Sequence, residues 1–126
     1  MSQNGWIGVD LDGTLAVYDD WISPTHIGEP VPLMVDRVKK WLSEGFEVRI
    51  FTARVYTGHP EEVSQRAGEA YAAKCAIEDW SAKHLGVVLP ITCTKDYDMI
   101  ELWDDRAVTV QKNTGRQLSD STRGLD

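Results

Sequence analysis

The chain has 126 residues, a formal net charge of −7 and a hydrophobic content of 42%. This length fits one domain with its own hydrophobic core, and the acidic balance argues against broad nucleic-acid binding and against attachment to anionic membranes. A small phosphorylated ligand is not excluded, because a bound cation can reverse the field at one site. Two cysteines without metal-type spacing, no apolar run of membrane-spanning length and no signal-like N-terminus predict a reduced, cytoplasmic protein.

The first predicted element is a short buried strand at residues 6–9 that ends in an acidic turn. Asp10 and Asp12 stand at its end, and Gly13 breaks the strand. Residues two apart in a strand point to the same side, so both carboxylates can face one spot. A divalent cation with oxygen ligands is the usual compensation for two such anions. An ordinary Asp-rich turn also explains residues 10–13, Asp-Leu-Asp-Gly. The motif alone therefore leaves both interpretations open.

The next segments alternate between loop, helix and strand. Residues 13–30 carry many breakers and predict a long loop, which in a compact domain is often a functional flap. Apolar residues at helical spacing predict a helix over residues 31–44. Residues 46–52 predict a second strand, which ends in Thr52 and is followed by Arg54. A hydroxyl and a guanidinium past a strand end suit an anion. Taken alone, a strand cap with a solvated arginine explains them better.

The second half of the chain continues the alternation. A helix is predicted from Pro60 to Leu85, with a kink or break near residues 76–80 because the pattern is long for one helix. The polar composition after residue 112 predicts a flexible tail at 113–126 and a folded domain at 1–112. Three further strands are predicted, at residues 87–91, 99–103 and 107–111.

Strands that alternate with helices predict a single Rossmann-like α/β domain, with a mainly parallel sheet of about five strands flanked by helices. Ligands of such sheets bind beyond the carboxyl ends of the strands. Acids follow the first and fourth strands, a hydroxyl closes the second, and a lysine precedes the fourth. Chance could place one polar group at a strand end, but it explains polar groups at three separate strand ends poorly. We therefore interpret these residues as one site: Asp10, Asp12, Thr52, Lys95, Asp104 and Asp105.

The set resembles the motifs of the haloacid dehalogenase-like (HAD) superfamily of Mg²⁺-dependent phosphohydrolases. Residues 10–15, Asp-Leu-Asp-Gly-Thr-Leu, are similar to its specific first motif. The other three motifs of the superfamily are matched, in the same order, by Thr52, Lys95 and the acidic pair at residues 104–105. The resemblance covers residues 5–111. It implies a HAD-like fold without a cap domain, because the intervals between the motifs are already filled by core elements.

The resemblance also implies roles for these residues. Asp10 would be the nucleophile that forms an aspartyl phosphate, and Asp12 would protonate the leaving alcohol and then activate water. Thr52 would bond a phosphoryl oxygen, and Lys95 would neutralise phosphate charge. The implied ligands of a Mg²⁺ cofactor are Asp10, the backbone carbonyl of Asp12, and one of Asp104 and Asp105. Two further residues are candidate contacts of the substrate, Arg54 and Gly13. Arg54 and Arg106 are candidate auxiliaries of the reaction, and for each arginine a structural salt bridge is at least as good an explanation.

Other interpretations stay open. One is a phosphotransferase or dehalogenase on the same scaffold, although a dehalogenase has no leaving alcohol for Asp12 to protonate. Another is an inactive module that binds a metal or phosphate, although it would not need both acids of the first motif. The phosphorylated substrate is either a small molecule or a macromolecule. An open site would be covered by a second copy of the chain or by the loop at residues 16–30, which carries Tyr18 and Trp21.

Overall fold

The structure is a computed structural model that describes residues 4–120. Its regular elements alternate as the sequence predicts. They are β1 (Trp6–Asp10), α1 (Pro32–Ser43), β2 (Glu47–Phe51), α2 (Val63–Leu85), β3 (Ile91–Thr92) and β4 (Met99–Trp103). The strands form one sheet in the order β3-β2-β1-β4, and every pair is parallel. An α/β domain with a parallel sheet is therefore confirmed.

β1 is central because its side chains are apolar enough to be covered on both faces. Trp6, Ile7 and Val9 are all buried, and the strand is bonded to β2 on one side and to β4 on the other. Since these three strands are parallel, their carboxyl ends meet at one edge of the sheet. The residues that come directly after β1, β2 and β4 are therefore brought together.

The predicted count of about five strands is wrong, because residues 107–111 form no strand. This exposed segment contributes one isolated antiparallel bridge, between Val110 and Gln117. A turn with positive φ at Asn113 and Gly115 returns the chain to make that bridge. The alternating apolar residues of this segment lie in a small, exposed hairpin and not in a strand of the sheet. Residues 121–126 of the predicted tail lie outside the described residues.

A kink or break is predicted near residues 76–80, and the helix is not broken there. α2 continues for 23 residues and ends at Gly86, which has the left-handed φ of 80° that suits a glycine. The reason is tertiary: Ala73, Ile77 and Trp80 are buried and hold this part of the helix to the domain. The first seven residues of α2 are exposed, so the apolar pattern there does not face the core.

The third strand is shorter and later than predicted, at residues 91–92 instead of 87–91. The hydroxyl of Ser81 donates to the Val87 carbonyl and accepts from the Leu89 backbone N–H. These bonds tie residues 87–89 to the end of α2 and leave them unable to pair with β2. Pro90 has no N–H to donate, so strand pairing begins only at the next residue, Ile91.

The predicted loop at residues 13–30 is confirmed, and its two ends are fixed. Ala16 and Pro30 form an antiparallel bridge, and the indole N–H of Trp80 donates to the Gly28 carbonyl at 3.0 Å. A side chain at Gly28 would overlap the Val17 carbonyl, so the close crossing needs a glycine. The middle of the loop is thereby held near the carboxyl edge of the sheet. No helix within residues 4–120 combines the length and apolar character needed to cross a membrane.

Candidate active site

Three carboxylates meet at the carboxyl edge of the sheet. Asp10 is the last residue of β1, and Asp104 and Asp105 come directly after β4. One oxygen from each lies within 4.8 Å of the other two. Asp10 and Asp104 are half-buried, and Asp105 is exposed. The structure thus brings together three residues that the sequence predicts as metal ligands.

The crowding of acids changes the proton affinity of Asp10. Its pKa is raised from 3.8 to about 8, chiefly because burial penalises the charged carboxylate. The hydrogen bond with Asp105 and the charges of Asp104 and Asp105 raise the pKa further, while a hydrogen bond from Thr14 lowers it. Without a cation, the cluster therefore favours the protonated form of Asp10. A cation bound by these oxygens would take the place of that proton.

This raised pKa predicts how the stability of the metal-free protein depends on pH. Because the folded pKa of about 8 exceeds the unfolded value of 3.8, the folded chain binds more protons between those limits. The contribution of Asp10 to the free energy of unfolding therefore falls as the pH rises through that range. Asn cannot ionise, so metal-free Asp10→Asn should gain several degrees of melting temperature over the wild type at about pH 8, and little at about pH 4. Thermal unfolding in chelator at both pH values measures this difference, and a gap that does not change with pH contradicts the assignment.

Thr14 and Gly13 hold the acids in place. The Thr14 hydroxyl lies 3.2 Å from an oxygen of Asp10 and 3.4 Å from one of Asp105, and it accepts from the Asp105 backbone N–H at 3.1 Å. Gly13 has a φ of 89°, and an added Cβ would stand 2.5 Å from an Asp105 oxygen. Gly13 therefore acts by permitting this approach. Gly13 is not part of the cavity lining, and its predicted contact with a substrate stays a prediction.

The Asp12 carboxylate is bound by Arg54 in a bidentate ion pair, so its orientation is fixed by that contact. The Arg54 Nε and a terminal nitrogen donate to the two Asp12 oxygens at 2.8 and 2.9 Å. The other terminal nitrogen donates to the backbone carbonyls of Ser23 and Pro24, at 3.1 and 2.9 Å. The guanidinium also lies over the Trp21 ring, 5.0 Å from its centroid. Only 5% of the Arg54 side chain is exposed. Arg54 is thus held in a structural salt bridge, which is one of the alternatives that the sequence leaves open. It also lines the cavity beside the acids, and its predicted contact with a substrate stays a prediction.

Thr52 lies where the sequence predicts, at the end of β2 and buried. Its hydroxyl oxygen accepts from the Arg54 backbone N–H at 3.1 Å, so it does cap the turn after the strand. The hydroxyl proton remains available to a ligand, since an oxygen that accepts one bond can still donate one. Thr52 also lines the cavity beside the acids.

Lys95 is not brought to the same place. It is exposed on the loop before β4, and it is not part of the lining of the cavity that holds the acids. Its neighbour Asp96 is anchored instead, because it accepts from the indole N–H of Trp6 at 2.8 Å. The predicted role of Lys95 stays a prediction.

A cavity of about 520 Å³ opens beside the acids and Asp12. Its other walls come from the loop after β1, the turn after β2, the start of α2 and the residue after the acidic pair. These walls are made by Tyr18, Trp21, Pro24, Tyr56, Arg66, Glu69 and Arg106, among others. Sequence reasoning missed Thr14, Tyr56 and Arg66. Thr14 lies inside the first motif and could have been found there, whereas Arg66 lies on an exposed helix face that carries no signal.

Comparisons of the chain with protein-family models, with curated proteins and with solved structures found no match. Its function is accordingly inferred from its own residues and their geometry.

Proposed function

We propose that this protein is a Mg²⁺-dependent phosphomonoester hydrolase that forms an aspartyl phosphate on Asp10. The observation that carries the proposal is the convergence of Asp10, Asp104 and Asp105 at one sheet edge, with Asp12 beside them on the wall of a cavity. The resemblance of residues 10–15 and of the later motifs to HAD phosphohydrolases supports the same chemistry.

The donor set fits Mg²⁺. Carboxylate oxygens are hard ligands, and Mg²⁺ is usually held by one or two carboxylates while its other positions are taken by water and phosphate. Asp10 and one of Asp104 and Asp105 would hold it, together with the Asp12 backbone carbonyl. Bound there, the ion would neutralise phosphoryl charge and release Asp10 from its proton.

The reaction uses the two acids of the first motif. A carboxylate oxygen of Asp10 attacks phosphorus, and the bond from phosphorus to the leaving oxygen breaks. Asp12, which carries a proton at the start of the cycle, gives it to that oxygen, so the alcohol leaves neutral. Water then attacks the phosphorus of the aspartyl phosphate, and Asp12 takes the proton of the water. Phosphate departs and Asp10 is restored.

Arg54 and Thr52 have supporting roles in this scheme. Arg54 is a positioning residue: its bidentate contact fixes the direction of both Asp12 oxygens and leaves each with a further lone pair for proton transfer. Thr52 would donate its free hydroxyl proton to a phosphoryl oxygen. Of the cations that stay exposed, Arg106 and Arg66 line the cavity and are available to a substrate.

Turnover of p-nitrophenyl phosphate as a function of Mg²⁺ tests the proposal. We expect hydrolysis that needs Mg²⁺ and stops in chelator, with one phosphate released for each nitrophenol even when an alcohol is added. Mg²⁺ should also raise the melting temperature, since only the folded chain assembles the acids. The variant Asp104→Asn with Asp105→Asn should lose both effects.

The other outcomes identify the competing functions. A Mg²⁺-dependent rise in melting temperature without turnover would indicate an inactive metal-binding module. A shortfall of phosphate with added alcohol would indicate a phosphotransferase. A Mg²⁺-dependent rise in melting temperature that survives the loss of Asp104 and Asp105 would place the metal elsewhere.

A further inference from the structure

Trp21 is fixed in position although it lies on a loop. Its ring is covered by the Arg54 guanidinium at 5.0 Å, and that guanidinium is held by two Asp12 oxygens and two backbone carbonyls. Yet 55% of Trp21 is exposed, and it lines the cavity beside Asp12. An exposed indole contributes less to the free energy of folding than a buried one, because a large apolar surface stays in water. The Trp21 ring is therefore held against Arg54 while about half of its surface stays open at the site.

A second aromatic wall has the same construction. Tyr56 lines the cavity with 46% of its surface exposed, and the Arg66 guanidinium lies 5.9 Å from its ring centroid. Tyr18 adds a third exposed aromatic ring to the lining. Three aromatic rings from two separate segments of the chain thus border one cavity while remaining open to solvent.

We propose that this cavity binds the nucleoside part of a mononucleotide, with its base stacked on Trp21. The inference rests on the proposed function for one point only, that phosphate lies at Asp10. The leaving group then extends past Asp12, and the partner of Asp12 is the arginine that backs Trp21. A volume of about 520 Å³ suits a ligand of this size. The net charge of −7 disfavours a long polynucleotide, which would repel the protein along its length.

Binding to a variant that cannot turn over tests this directly. Asp10→Asn with Mg²⁺ is titrated with AMP and with ribose 5-phosphate, which carries the same phosphate and sugar but no base. We expect AMP to bind about 10-fold more tightly, as is typical for one stacked base. Adding Trp21→Ala should remove the preference without weakening ribose 5-phosphate, and Trp21→Phe should retain part of it. Tyr97→Ala, at a fully exposed tyrosine outside the cavity, is the matched control and should change nothing.

Three results would overturn the inference: no measurable binding of AMP, equal affinity for the two ligands, or a preference that survives Trp21→Ala. A phosphorylated oligonucleotide that bound more tightly than AMP would overturn the assignment to mononucleotides. Turnover by the wild type separates this inference from the proposed function. If the wild type hydrolyses both ligands but Asp10→Asn binds them equally well, the base site is refuted and the proposed hydrolase is not. A preference for AMP without hydrolysis would refute the hydrolase and leave the base site supported.

Discussion

Asp10→Asn should abolish the proposed phosphatase activity, with kcat reduced by about 10⁴-fold or more. The substituted side chain has nearly the same shape, but its amide is neither an anion nor a comparable nucleophile. It also removes one oxygen ligand from the acidic cluster. Because the pKa of Asp10 is raised to about 8, the metal-free fold disfavours the ionised form of Asp10, and replacing it by a side chain that cannot ionise should not cost stability. Loss of activity and retention of fold are therefore expected together.

Initial rates with p-nitrophenyl phosphate at saturating Mg²⁺ measure the loss, and circular dichroism checks the fold. Asp36→Asn is a matched control, since it makes the same substitution at an exposed position of α1. The control should retain full activity. The intact mass of the variant must exclude deamidation, which would restore Asp10. Activity of Asp10→Asn near that of the control would remove Asp10 from the role of nucleophile.

Asp12→Asn should separate the two half-reactions. General acid–base catalysis is typically worth about 10²–10⁴ in rate. Nitrophenolate leaves readily without a proton, so formation of the aspartyl phosphate should partly survive. Hydrolysis of that intermediate still needs a base for water. A burst of nitrophenol and then slow turnover is expected, whereas an alkyl phosphate, which needs the acid, should suffer in both steps.

The ion pair between Asp12 and Arg54 requires a control for this experiment. An amide at position 12 turns one N–H group towards the guanidinium, so Asp12→Asn also disturbs the contacts of Arg54 with the loop. Arg54→Met removes those contacts and keeps the acid. Because Arg54 positions Asp12, we expect a weaker form of the same pattern: a smaller burst of nitrophenol than in Asp12→Asn, and a larger loss of turnover on an alkyl phosphate than on the aryl phosphate. A burst in Arg54→Met equal to that of Asp12→Asn would attribute the effect to loop position and contradict the acid–base role.

The sequence predicts the elements that carry the acids because each has a strong local signal. β1 is an apolar run that ends at Asp10, and α1 and β2 lie between clear breakers. The parallel arrangement then brings the ends of β1 and β4 together, so the triad is a consequence of topology that the sequence already indicates. The resemblance of the first motif points to the same residues.

The remaining features depend on contacts between distant residues. Residues 107–111 would extend the sheet only if they paired with one of its strands. In the structure a local turn pairs Val110 with Gln117 instead. The contact of Arg54 with Asp12 spans 42 positions, and no spacing rule predicts it. The continuity of α2 is set by burial of Ile77 and Trp80 rather than by its own apolar pattern. Lys95 is placed by a loop conformation that its neighbours determine.

A phosphoryl group carried by Asp10 is the central step of the proposed mechanism, and mass spectrometry of the intermediate tests it most directly. Asp12→Asn is mixed with p-nitrophenyl phosphate and Mg²⁺, quenched in acid during the burst, and digested. We predict that the peptide containing residues 10–15 gains the mass of one phosphoryl group, that fragmentation places it on Asp10, and that Asp10→Asn gains none. Turnover by the wild type with no phosphorylated peptide in the variant, or with the phosphoryl group on another residue, would contradict the proposed mechanism.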